Sequence, residues 1–161
     1  GKMDEKTNVM RLLEQKKISY LSHNYAQTGA ISGTEVAQAL GQKPPQVFKT
    51  LVTVGKSKTN YVFVIPSDKE LDLKKAAKSV GEKSIEMLKA KELLPLTGYV
   101  HGGCSPIGMK KFFRTTIDIS AQQWATIIFS AGKIGYQVEL SLDELSKVLR
   151  FQLADVTVEE E

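Results

Sequence analysis

Lys49 is the first residue whose chemistry conflicts with its surroundings. It lies in the run VFKTLVTV, residues 47–54, where period-two alternation sets it on one face with Val47 and Leu51. An ammonium carried inward there must be paired, solvated through a cleft, or held for an anionic ligand. The solvent face of an edge strand accounts for it equally well. A second unusual stretch is GYVHGGCSPIG, residues 98–108, with four glycines in eleven residues. Such a loop exposes backbone N–H groups to close approach, and so suits an oxyanion or a phosphate. An ordinary mobile turn is the plainer reading. Ser105 and Cys104 beside His101 suggest a nucleophile, but no acid in the loop orients the histidine, and a lone cysteine is more often a small buried apolar residue.

The third stretch is FSAGKIGY, residues 129–136, whose Gly-Lys-Ile-Gly turn is good hairpin chemistry. If that turn faces the glycine-rich loop, Lys133 with Lys110, Lys111 and Arg114 would ring one cleft with positive charge. An RNA end would suit such a cleft, since its affinity comes largely from phosphate contacts and its bases are exposed. Other signatures are missing. A P-loop would need glycine where Thr50 stands, and there is no GxGxxG, HExxH or GxSxG. With His23, His101 and Cys104 as the only soft or imidazole ligands, neither a metal nor an organic cofactor is expected.

Composition narrows the partners. The 161 residues fit one domain, 1–161, and 42% hydrophobic with 25% charged residues is a globular balance. One cysteine precludes an internal disulfide and fits a reducing cytoplasm. No run approaches a membrane span, and the polar start lacks a signal-peptide core, so no membrane role is expected. The net charge is +4, carried by 19 Lys and only three Arg. Flexible point charges suit a phosphate backbone, whereas few planar forks argue against reading DNA base edges.

These residues need elements to hold them. Thr7–Lys17 carries a helical stripe of Val9, Met10, Leu12 and Leu13, and Ile18–Tyr25 reads as a strand. Ser32 with Glu35 predicts a capping box for a helix that bears Val36, Ala39 and Leu40 and ends at Gly41. Pro44 and Pro45 bar regular structure before the strand 47–54, and a lysine-rich turn leads to the strand 61–65. Asp72 caps a helix 73–80, and 84–94 also reads as helical. Strands are expected at 112–117, 125–130, 136–140 and near 153–156, with a helix 142–149 opened by Ser141 and Glu144. The order predicts an α+β fold with a central mixed, partly barrel-like sheet flanked by helices.

Taken together, RLLEQKKISYLSHNY, VFKTLV, LDLKKAAKSVG, GYVHGGCSPIG and FSAGKIGYQVEL resemble the YbaK family over nearly the whole chain. These are bacterial trans-editing aminoacyl-tRNA deacylases, related to the editing domain inserted in prolyl-tRNA synthetase. The resemblance implies hydrolysis of the ester between a wrong amino acid and the 3′ adenosine of a tRNA, cysteine on proline tRNA in the best-known branch. It implies an in-facing Lys49 that holds the terminal nucleotide and places the carbonyl, with Gly102 and Gly103 at the carbonyl. Tyr25, Thr50, Ser105, Ser130, Gly132 and Gln137 fall on its substrate-binding positions. Gln137 stands where a relative has aspartate. In the cysteine branch the substrate's own thiol attacks the carbonyl, so no protein nucleophile is required. The implied partners are the tRNA acceptor end and prolyl-tRNA synthetase. A deacylase for another small amino acid such as alanine, a non-catalytic tRNA-binding module and a thiol enzyme built on Cys104 are the rival readings.

Overall fold

The computed structural model describes residues 5–160. Helix α1 (Asn8–Gln15) starts where the Thr7 hydroxyl accepts from the Met10 N–H, and buries Val9, Met10 and Leu13. Strand β1 (Leu21–Asn24) leads through a 3₁₀ turn (Ala26–Thr28) to α2 (Gly33–Leu40). The α2 capping box is complete: Ser32 accepts from the Glu35 N–H, and the Glu35 carboxylate accepts from the Ser32 N–H. Its buried face is Val36 and Ala37 rather than Val36, Ala39 and Leu40, because a helix this short turns only one edge inward. Pro44 and Pro45 do not exclude regular structure. They open a single 3₁₀ turn (Pro44–Gln46), where proline in the first positions loses no needed N–H.

Strands β2 (Phe48–Gly55) and β3 (Asn60–Pro66) form the central hairpin, followed by α3 (Leu73–Val80). Asp72 caps α3 by accepting from the Lys74 and Lys75 N–H groups. The segment expected to be one helix over 84–94 divides into β4 (Ile85–Met87) and α4 (Ala90–Thr97). Isoleucine-led β4 pairs with Thr53–Gly55, and that tertiary pairing overrides the helical propensity of Glu86 and Met87. Strands β5 (Arg114–Asp118), β6 (Ile127–Ser130) and β7 (Tyr136–Leu140) precede the short α5 (Leu142–Leu145) and β8 (Gln152–Ala154). The helix expected over 142–149 is curtailed to one turn followed by irregular chain. Ser141 caps α5, but the Glu144 carboxylate accepts from the distant Ser19 N–H, so no reciprocal box forms.

The strands make two sheets. One is antiparallel with order β1-β7-β6, and the other is mixed with order β4-β2-β3-β5-β8, where β3-β5 and β5-β8 are parallel. A single parallel bridge, Val47 to Ile128, links them, and no closed barrel forms among the described residues. The five-stranded sheet is covered on both faces. Phe48, Val52, Val62, Val64 and Ile117 pack toward α1 and the three-stranded sheet, while Tyr61, Phe63 and Ile65 pack against Ala76, Ala77 and Val80 of α3. Double coverage is why β3 reads as a continuous apolar run instead of an alternating one. Among the described residues no helix is long and apolar enough to cross a membrane.

Phe63 is fully buried at the centre of β3. Phe63→Ala is expected to cost about 3–5 kcal/mol of stability, read as a lowered urea midpoint with an unchanged slope.

Candidate active-site cleft

Strand β4 covers β2 only at Thr53–Gly55, which leaves the first half of β2 open on the edge away from β3. A cleft of about 560 Å³ lies along that open edge. This volume is within the range of small-ligand pockets, roughly 300–1,000 Å³. Its floor is Phe48–Leu51 of β2 with Ser67, and one wall is the start of α2 from Ser32 to Val36. The opposite wall combines Tyr25, Phe129, Ser130 and Gln137 with Leu93 of α4 and His101, Gly102 and Cys104 of the loop.

Lys49 is half-buried, and its Nζ donates to the Ser67 carbonyl at 3.3 Å. It shares a face with Ile65 and Leu51, toward α3. Burial pushes its pKa below the ordinary lysine value, while Glu70 and Asp68 pull it back up. The ammonium thus reaches solvent through the cleft, one of the alternatives left open by alternation alone. Ser67 is fixed in turn: its N–H donates to Val47 O, its hydroxyl donates to Pro44 O, and it lies against Gly33, where a Cβ would sit 2.6 Å from the serine Cβ. Thr50 also lines the cleft, and its buried hydroxyl has no hydrogen-bond partner among the described residues.

The hairpin turn does face the glycine-rich loop. A Cβ on Gly103 would lie 3.1 Å from the Ile134 backbone nitrogen, and one on Gly132 would lie 3.0 Å from the Tyr99 ring. Gly102, at φ +87°, lines the cleft in a conformation that other residues rarely adopt. Gly103 sits behind it, buried, with its N–H donated to Val100 O. The expected pair at a carbonyl is therefore divided, and only Gly102 reaches the cleft.

Other expected site residues divide in the same way. Tyr25 is buried in the wall, tied to the hairpin by its N–H on Gly135 O at 2.7 Å. Ser130 and Gln137 are cross-strand partners on β6 and β7 and both line the cleft. Gln137 is buried and exchanges two hydrogen bonds with Gln42, at 2.9 and 3.3 Å. Gln42 is held by its own N–H on Ala37 O, just past the left-handed Gly41 that ends α2. Gly132 lies outside the cleft, donating to the Ser130 hydroxyl. Ser105 is buried away from it, accepting from the Ile107 N–H.

The expected ring of cations around this cleft does not form. Lys133 is drawn to Glu5 at 2.7 Å, Lys110 donates to Pro95 O, and Arg114 donates to Val80 O. Lys111 lines a separate groove. Long lysine stems reach whichever partner is nearest, which hairpin and loop sequences do not specify. Sequence reasoning also missed Ser32–Thr34, Ser67, Leu93 and Gln42. The capping box marked the helix start, but nothing local showed that this start faces Lys49.

Cys104 is not prepared as a nucleophile. Burial pushes the Cys104 thiol up to about 12. At pH 8 about one thiol in ten thousand is then ionised. Iodoacetamide at pH 8 is expected to leave Cys104 unmodified in the folded protein and to alkylate it in denaturant, as read by intact mass.

A sequence profile of the aminoacyl-tRNA editing domain matches residues 29–148. An Enterococcus faecalis protein, EbsC, provisionally named a Cys-tRNA(Pro)/Cys-tRNA(Cys) deacylase, is 47% identical over 99% of this chain and 98% of its own. The uncharacterized Bacillus subtilis protein YwhH is 26% identical over 75% of the chain and 76% of its own length. Among solved structures, one provisionally assigned as a trans-editing enzyme for prolyl-tRNA synthetase superposes with TM-score 0.79 at 25% identity, covering 95% of this chain and 99% of that one. Another, of a hypothetical protein, reaches TM-score 0.85 at 23% identity over 93% and 99% of the two chains. With a profile match over most of its length and a relative alike from end to end, the chain belongs to the aminoacyl-tRNA editing domain family.

Proposed function

We propose that the chain is a free-standing aminoacyl-tRNA deacylase that hydrolyses the ester of cysteine mischarged on proline tRNA. The observation that carries this reading is the half-buried Lys49 ammonium in a cleft of ligand size, lined by an un-ionised Cys104 and by Ser32, Ser67 and Ser130, whose hydroxyls are bonded to backbone groups. An ester needs no fuel to be cleaved, and the chain has no P-loop. The near identity in length and the 47% identity to EbsC support the same substrate class. The structural likeness to a trans-editing enzyme for prolyl-tRNA synthetase supports action beside that synthetase, in the cytoplasm.

In this reading Lys49 supplies the positive charge of the cleft, and the first N–H groups of α2 lie beside it, with the Glu35 carboxylate capping that helix start. A helix N-terminus and an ammonium both favour the negative charge of a terminal phosphate or of a carbonyl oxygen in the transition state. Gly102 brings a backbone N–H to the carbonyl without a side chain in the way. Tyr25, Thr50, Ser130 and Gln137 line the space left for the ribose and amino acid. Gly103, Gly132 and Ser105 act at one remove by fixing the loop and hairpin. As the resemblance to the cysteine branch implies, the attacking group in this reading is the substrate's own cysteine thiol, and an un-ionised Cys104 agrees with that. Its sulfur bonds to the carbonyl carbon, the ribose 3′ oxygen leaves with a proton, and water then opens the thioester. Positioning and electrostatics supply the acceleration.

Lys49→Ala is expected to lower kcat/KM on cysteinyl-tRNA(Pro) by about 10²–10³-fold while circular dichroism stays native. Full activity in a folded variant defeats the mechanism. The working ammonium is lost as pH rises, so the rate, corrected for uncatalysed hydrolysis, should fall with a midpoint below the ordinary lysine value of 10.5. A panel of cysteinyl-, alanyl- and prolyl-tRNA(Pro) should lose the cysteinyl ester first. Protection of every ester would favour a binding module instead.

A further inference from the structure

The groove on the other side of the glycine-rich loop has no part in the chemistry above. It measures about 170 Å³ and lies between Pro106–Met109, Lys111–Phe113 and the chain at Val148–Leu149. Phe112 stands at its edge, 58% exposed, although its neighbour Phe113 is buried. The Arg150 guanidinium lies over the Phe112 ring at 5.8 Å, and Lys111 lies over Phe113 at 5.5 Å. The two segments that meet here, residues 105–114 and 145–152, contain Lys110, Lys111, Arg114, Lys147 and Arg150 and no acidic residue. Lys147 is held by Glu144, but none of the other four is in an ion pair among the described residues. Two of the chain's three arginines are in these segments.

An exposed aromatic ring among unpaired cations matches the recognition chemistry of unpaired nucleic acid: bases stack on the ring, and guanidinium and ammonium groups hold the flanking phosphates. A protein partner would leave the cations to be matched by acids, whereas a polyanion satisfies all of them together. The groove is also close to the cleft. Cys104 lines the cleft and Pro106 lines the groove, so the chain crosses from one to the other within about 7 Å.

We propose that this surface binds a single-stranded stretch of the RNA substrate outside the cleft, with Phe112 stacked on an unpaired base and Arg150 and Lys111 on its phosphates. The inference rests on the deacylase reading for the identity of the RNA, and its test separates the two. Phe112→Ala and Arg150→Glu are expected to weaken binding of uncharged tRNA(Pro), measured by fluorescence anisotropy, by about tenfold each. Both should raise KM for cysteinyl-tRNA(Pro) and leave cleavage of a cysteinyl ester of adenosine unchanged. Lys74→Glu, the same charge change on exposed α3, should shift tRNA affinity by less than about twofold, which separates a local contact from bulk charge. Unchanged tRNA affinity in both groove variants overturns the proposal while deacylation stands. So does an equal loss in Lys74→Glu, or loss of binding to phosphatidylserine vesicles with tRNA affinity intact. If the wild-type protein cleaves no cysteinyl ester, the deacylase reading fails, and the anisotropy series still decides the RNA surface.

Discussion

Half-burying an ammonium is costly unless something answers its charge, and the fold gives Lys49 one carbonyl, Ser67 O, and two carboxylates at longer range. The surrounding structure is arranged around that residue. Val47 O and Pro44 O hold Ser67, the bare Cα of Gly33 lets α2 close on it, and the capping box fixes where α2 begins. The open edge of β2 then has a cation on its floor and a helix start beside it. One carbonyl at 3.3 Å leaves the ammonium with hydrogen-bond capacity directed at whatever enters the cleft.

The opposite wall is fixed by close backbone approach. Gly103 and Gly132 bring loop and hairpin within a distance that side chains would crowd, and Gly102 does the same for the loop and Ile31. Tyr25 is held to the same hairpin through Gly135 O. Polar groups on this side are largely satisfied within the protein, including the reciprocal amides of Gln42 and Gln137. Across from it, on the floor, the Thr50 hydroxyl has no hydrogen-bond partner among the described residues. The site therefore pairs a rigid, internally bonded wall with a floor that retains unsatisfied groups, the division expected where geometry is fixed before the ligand arrives.

Most elements were legible because the signals were local. Ser32 and Asp72 capped the helices they were expected to cap, and Gly41 and Gly81 ended those two. Failures came where a distant partner decided. Strand β4 exists because β2 offers an edge at Thr53–Gly55, and the capping box of α5 is incomplete because the Glu144 carboxylate turns to Ser19. In the site, Lys49 was conspicuous as an ammonium in an apolar run, and the glycines were conspicuous by composition. Which face Lys49 took, and that Ser67, Leu93 and Gln42 would join it, depended on packing between segments far apart in sequence. The misplaced cation ring has the same origin: the residues were seen correctly, but their partners were chosen in three dimensions.

Strand β7 sits between β1 and β6, so the segment that carries Tyr25 and the strand that carries Ser130 are joined only through the strand that carries Gln137. The three-stranded wall is thus closed by its last member in sequence order. During synthesis, a nascent polypeptide that has already displayed Lys49 and the glycine loop still lacks the far side of its cleft until β7 has emerged from the ribosome. Truncated translation products ending before that strand carry the cation without the enclosure.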